Sequence, residues 1–236
     1  MEVMNVLPIF LLVFVRTLAF FTVLPVFSYR TVPNQFKIGL AVFLAIIMAT
    51  TLETPPLEID GIYFLLIIKE VLVGLFVGLM AMLLMYAIQV AGGFIDMKIG
   101  FMIANVIDPQ TGAQSPLIGG FLYTFAILLM LALDAHHLLI DGVYYSYQYI
   151  PLEQLFLPFG NENVVEYVAT LFNAMFIIAF QMAIPVVGSL FLLNIALGTI
   201  SRAVPQMNIF VVGFPIQIFV GLLILLISMP VFFMVF

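Results

Sequence analysis

Asp134, His137 and Asp141 follow one another at spacings of three and four, which on a helix puts two carboxylates and an imidazole on one face. That donor set suits a zinc, iron or manganese ion. The adjacent His136 should point away from that face, and no further strong ligand or orienting second shell stands nearby in sequence. The trio is therefore read as a helix end meeting water, and no metal is expected. Lys69-Glu70, set inside a long apolar run, has the composition of a proton relay. Neighbours on a helix diverge by about 100°, so these two are not expected to pair with each other. Asp96, Lys98 or another subunit are the expected partners, and structural pairing is the expected role. Arg16 stands alone among Phe14, Leu18 and Phe20, where it must snorkel or find a carboxylate or carbonyl, so it is read as an anchor.

Two longer polar stretches interrupt the apolar sequence. Residues 91–120 read AGGFIDMKIGFMIANVIDPQTGAQSPLIGG, with glycine doublets at both ends. Within them Asp108-Pro109-Gln110-Thr111-Gly112 is a turn sequence, since Pro suits the second turn position and Gly allows a positive φ. Gln114 and Ser115 add hydrogen-bonding side chains. The stretch is read as an irregular loop, either exposed or lining a pore; non-helical backbone at membrane depth survives only inside protein or beside water. The second stretch, residues 202–215, sets Arg202, Gln206 and Asn208 among Pro205, Gly213 and Pro215. Nothing in the chain has the order or spacing of a catalytic triad, a Walker loop, paired catalytic carboxylates or a dinucleotide-binding glycine motif, so no enzyme activity and no cofactor are expected.

The elements that must carry these residues are apolar throughout. Of 236 residues, 65% are hydrophobic and 8% charged, where a soluble domain carries about a quarter charged. The chain is of membrane type or buried in an apolar assembly, and unbroken Leu, Ile, Met and Phe runs favour helices over barrel strands. The net charge of −6, with six dispersed Lys and Arg, excludes nucleic acid as a partner. Cysteine is absent, so there is no disulfide framework and no thiolate site. Glu2 gives the N-terminus the wrong sign for a signal peptide, and the first apolar run is expected to be retained.

Six apolar blocks cover residues 3–27, 38–52, 62–91, 117–140, 164–200 and 209–236. The second is short for a span, and prolines 185, 215 and 230 predict bent helices or paired half-helices. Gly74 and Gly78 predict a close helix contact. Arg30, Lys37 and Arg202 lie in loops on one side of this pattern and Glu53, Glu58, Asp60, Glu153 and Glu162 on the other, consistent with six crossings and an outside N-terminus. No internal repeat or linker is visible, so residues 1–236 are assigned to a single helical domain. The last residues, Val235-Phe236, still belong to an apolar run, which leaves a polar tail or a covering partner to be expected there.

Four segments, in order along the chain, resemble the R subunit of the bacterial flagellar export gate, the FliR family, whose injectisome counterpart is the T subunit. They are Arg16 with Pro25 and Val32-Pro33; residues 93–100 (GFIDMKIG) continuing to 108–117 (DPQTGAQSPL); residues 136–140 (HHLLI); and residues 202–208 (RAVPQMN) through Gly213-Phe214-Pro215. The second and fourth are long and specific. The resemblance implies an all-α fold of kinked helices and stacked hairpins, similar to a fused P and Q gate subunit. It implies assembly with P and Q subunits, and with the B and A export subunits, inside the basal-body ring of the flagellum in the bacterial cell membrane. Unfolded flagellar proteins would pass through the centre. It also implies that the gate sits largely above the bilayer plane, which cautions against six crossings. By the same resemblance Asp108, Pro109, Gly112, Gln114 and Ser115 belong to a plug in the closed pore. Arg202, Pro205, Gln206, Asn208, Gly213 and Pro215 hold an assembly interface or a helix break.

The alternative is a small secondary transporter, with Lys69, Glu70, Asp96 and the Asp134-His137-Asp141 face as an ion path.

Overall fold

The structure is a computed structural model, and it describes residues 2–28, 32–52, 54, 55, 57, 59–102, 116–155, 162–204, 206 and 208–235. Among these residues every regular element is a helix: α1 (Glu2–Val23), α2 (Asn34–Thr51), α3 (Gly61–Ile99), α4 (Leu117–Ala132), α5 (His136–Tyr149), α6 (Glu162–Ala203) and α7 (Ile209–Val235). A chain that is apolar on nearly all faces satisfies its backbone within each helix, which is the requirement of a water-poor setting. Among the described residues five helices are long and apolar enough to cross a membrane, and α4 with α5 supplies a sixth span if that bent pair counts as one. At 39 and 42 residues, α3 and α6 are about 58 and 63 Å long. Each is about twice the thickness of a bilayer core.

The chain divides into two compact units, Met1–Leu83 with Leu129–Leu171, and Leu84–Leu128 with Phe172–Phe236. The connection between them is made within α3, α4 and α6 rather than in loops. The core of the first unit is formed by Leu12, Val13, Phe20 and Phe21 of α1, Ala41, Ala45 and Met48 of α2, Tyr63 and Leu66 of α3, and Val143 and Tyr147 of α5. Glycine sets the α1–α3 distance. A Cβ at Gly74 would lie 2.3 Å from the Arg16 carbonyl oxygen, and one at Gly78 would lie 2.9 Å from Val23 Cβ. Only hydrogen fits, so the backbones approach as in small-xxx-small packing.

The second unit packs along seams of small and branched residues. Ile88, Ala91, Ile95 and Ile99 on α3 meet Ile118, Leu122 and Ala126 on α4 and Ala179, Met182, Ala183, Val186 and Leu190 on α6. The steps of three and four keep each set on one helix face. A Cβ on Gly92 would come within 2.1 Å of the Gly119 Cα, so α3 and α4 touch backbone to backbone there. Asn194 of α6 accepts a hydrogen bond from the Gln217 amide of α7, joining those two helices through polar groups in an apolar setting.

Several boundaries differ from the sequence expectation, each for a physical reason. The stretch 91–120 is helical at both ends, since α3 runs through Gly92-Gly93 to Ile99 and α4 begins at Leu117. Gly92 and Gly119 serve close packing rather than chain reversal. Block 117–140 is two helices bent by 77° at residues 133–135, and α5 continues to Tyr149 through residues expected in a loop. Pro185 does not divide α6, which is continuous from Glu162 to Ala203. Long helices absorb one missing donor when neighbouring groups take up the freed carbonyl. The Ser189 hydroxyl also donates back to the Pro185 carbonyl at 2.7 Å.

Candidate functional site

The first unit holds a buried cluster of charge. Arg16, on α1, is completely buried, as is Glu70 on α3, and Lys69 is nearly so. The Arg16 guanidinium meets Glu70 through two parallel donors, Nε to Oε2 and Nη2 to Oε1 at 3.0 Å. Such a planar fork matches a carboxylate and fixes its orientation. Lys69 Nζ forms an ion pair with Glu70 Oε1, so one carboxylate serves two cations. Backbone carbonyls accept further donors. Arg16 Nη2 donates to the Ile150 oxygen at 2.8 Å, and Lys69 Nζ donates to the oxygens of Pro151 and Leu152 at 2.9 and 3.0 Å. These carbonyls follow directly on the C-terminus of α5, where the helix dipole favours positive charge. Arg16 Nη1 donates to Ser146 Oγ at 3.0 Å, and the guanidinium carbon lies 3.9 Å from the centre of the Tyr147 ring.

This corrects the expectation that Lys69 and Glu70 would not pair. Their Cβ directions diverge, but lysine and glutamate are long enough to curl onto a common point once Arg16 fixes the carboxylate. Their partners are Arg16 and the carbonyls of Pro151 and Leu152, in place of the expected Asp96 or Lys98. Ser146, Tyr147 and the three carbonyls were not legible in the sequence, because a carbonyl leaves no residue-type signal and its partner lies more than 80 residues away. With every nitrogen of Arg16 and Lys69 engaged, the cluster fastens α1, α3 and the end of α5 together.

In the second unit Asp96, also buried, turns its carboxylate to the start of α4. The Ile118 amide donates to both oxygens, at 3.1 and 3.0 Å, and the Gly119 amide donates at 3.4 Å. A carboxylate at a helix N-terminus satisfies amides without an intrahelical acceptor and opposes the positive dipole end. Asp96 thereby clamps together the two ends of the segment that joins α3 to α4. Lys98 is half-buried beside an apolar cavity of about 220 Å³ lined by Phe94, Met97, Phe180, Ala183 and Val187. Gly100 terminates α3 with φ 98°, a conformation that favours glycine, and the Phe214 ring lies so close that a Cβ would come within 2.6 Å of it. The two most specific signatures in the sequence, around residues 93–100 and 213–215, therefore touch.

Asp108, Pro109, Gly112, Gln114 and Ser115 lie outside the described residues, as does Pro205. Arg202 is exposed on the last turn of α6, a position where a cation complements the helix dipole. Gln206 and Asn208 are exposed too. Asn208 Oδ1 accepts from the amides of Phe210 and Val211 at 3.1 and 3.4 Å and so caps the start of α7. Gly213 is buried, and Pro215 is exposed within α7.

The histidine face also rearranges. Asp134, His136 and His137 bring one ligand atom each within 4.8 Å of one another, and Asp141 is not in the group. The break at residues 133–135 ends the helical phase on which the spacing argument relied.

Among known proteins, the family described as bacterial export proteins, family 1, matches residues 7–236. The flagellar biosynthetic protein FliR of Bacillus subtilis (strain 168) is 56% identical over 235 residues, covering 99% of this chain and 91% of that protein. The protein of the same name from Pectobacterium carotovorum subsp. carotovorum is 34% identical over 223 residues, 92% of this chain and 82% of its own length. That from Escherichia coli (strain K12) is 28% identical over 218 residues, 91% and 82%. None of these three is named as a transporter.

Proposed function

The chain belongs to the family of bacterial export proteins, family 1, and we propose that it is the R-type structural subunit of the flagellar type III protein export gate. It is a component of the flagellar export apparatus, as relatives named for flagellar biosynthesis over nearly its whole length indicate. In this reading it assembles with P and Q subunits, and beside the B and A export subunits, into the pore through which unfolded flagellar proteins leave the cell. Its place is the basal body in the bacterial cell membrane. Its role is to shape and close a conduit, without catalysis.

The observation that carries the assembly is the surface of α7. In the 18-residue apolar window within Phe210–Phe232 only 17% is buried within the chain, against 50% of Val6–Val23 on α1. Phe210, Phe219, Leu226 and Met234 are each more than two-thirds exposed. Apolar area on this scale is stable only against lipid or protein. Arg202, Pro205 and Gln206, which precede α7 in sequence, are assigned to the subunit interface; an exposed arginine is suited to a partner's carboxylate or helix C-terminus. Asn208, Gly213 and Pro215 set the start and course of the helix that presents it. Residues 108–115 are assigned to the plug of the closed pore.

Co-expression of a tagged copy with its P and Q subunits, extraction in mild detergent and native mass spectrometry test the assembly. One large particle containing a single tagged chain among several partners is expected. A monomer or homodimer that ignores both partners would overturn the reading.

A further inference from the structure

We propose that Asp134, His136 and His137 form a binding site for a divalent transition-metal ion of the zinc type, at the bend between α4 and α5. One carboxylate oxygen and two imidazole nitrogens lie mutually within 4.8 Å. The imidazole rings are 4.2 Å apart between centroids and inclined by 34°, so both present to the same small volume. Two imidazoles and a carboxylate match the preference of zinc, cobalt and nickel for borderline nitrogen and oxygen donors, and three protein ligands leave a position for water. Bonds of about 2.0–2.1 Å hold ligand atoms about 3.3 Å apart in a tetrahedral shell. Closure needs side-chain shifts of about an ångström, which the exposed Asp134 and His137 permit.

A further observation points to a ligand. His136 Nδ1 is buried from solvent and has no hydrogen-bond partner, although a buried ring nitrogen ordinarily has one. Asp134 holds φ 56°, the only positive φ of a non-glycine among the described residues. The N-cap position of α5 is Ala135, which has no side-chain acceptor to cap the helix. The site is local to the first unit, and its ligands come from the turn and the first residues of α5 on one side of a 77° bend. A bound ion would tie that turn to the first turn of the helix it introduces. The role is structural, and it is independent of the gate assignment.

The full chain, purified in detergent with a tag free of histidine and stripped with chelator, is titrated calorimetrically with Zn²⁺ alone. Co²⁺ alone is followed by its visible absorption. One equivalent per chain is expected, with the intense absorption bands of low-coordinate Co²⁺ and a thermal midpoint that rises with Zn²⁺ by mass action. His136→Ala and His137→Ala should each weaken binding about tenfold or more, and Asp134→Asn should do the same at unchanged side-chain size. Asp141→Asn should bind as the unaltered chain does. Uptake well below one equivalent by the unaltered chain overturns the proposal without reliance on any variant. So does equal uptake by the chain and by the double variant His136→Ala/His137→Ala, since the ion would then sit elsewhere.

Discussion

Glu70 is the anion on which two buried cations depend. Replacing it by Ala leaves Arg16 and Lys69 without a counter-charge in a dry core, a loss of about 3–5 kcal/mol. Removing the cluster as a whole, with Met at positions 16, 69 and 70, should destabilise less than Glu70→Ala alone, because no uncompensated charge remains. Thermal melts of the purified chains in detergent decide it; a triple variant that melts below Glu70→Ala contradicts the account. The need of Arg16 for a carboxylate or carbonyl was legible from its type and setting, and it has both. Which carboxylate was not legible. The 100° rule describes where side chains leave a helix, whereas their ends are placed by whatever lies above them, here a guanidinium from another helix. Asp96 shows the same limit. Its charge in an apolar run was plain, but the acceptors' partners are backbone amides of Ile118 and Gly119, which every sequence contains.

Helix positions were readable from apolar runs, and α2, α6 and α7 start and end within four residues of the blocks. Glycine and proline were the misleading signals. Gly92-Gly93 suggested a break, yet the structure uses Gly92 for contact with Gly119 at a distance where no side chain fits. Gly92→Ala should therefore force α3 and α4 apart at a cost of about 1–3 kcal/mol, whereas Gly188→Ala, which meets nothing within 4 Å, should be neutral or mildly stabilising through helix propensity. The comparison of midpoints in one detergent checks this, and equal effects would show that the close contact does not form. The bend after Ala132 carries neither Gly nor Pro at residues 133–135, so periodicity read straight through it and placed His137 with Asp141 rather than with His136. A break built from Leu133, Asp134 and Ala135 has no compositional mark apart from an aspartate that tolerates positive φ.

For the molecule as a whole, the apolar surface of α7 and the exposed polar turn before it predict a protein completed by its partners rather than by its own core. Composition alone announced an apolar environment; whether lipid or protein provides it leaves the same mark on hydropathy, and the lengths of α3 and α6 exceed what one perpendicular crossing requires. If residues 108–115 close the conduit, replacing them by a short Gly-Ser linker should leave the complex intact by mass and raise its ion leak in reconstituted vesicles. An intact complex with unchanged leak would remove the plug assignment. The charge cluster also has a consequence for biosynthesis. Arg16 is finished early, but its Ile150 acceptor lies 134 residues later, which at ribosomal rates of 5–20 residues per second is a delay of about 7 to 27 s. Glu70 follows Arg16 by 54 residues, so for the rest of that interval the guanidinium has only part of its docking site. The N-terminal segment must be kept soluble or held in the insertion machinery while it waits, so the order of synthesis, and not the finished packing, sets when this unit is most exposed to aggregation.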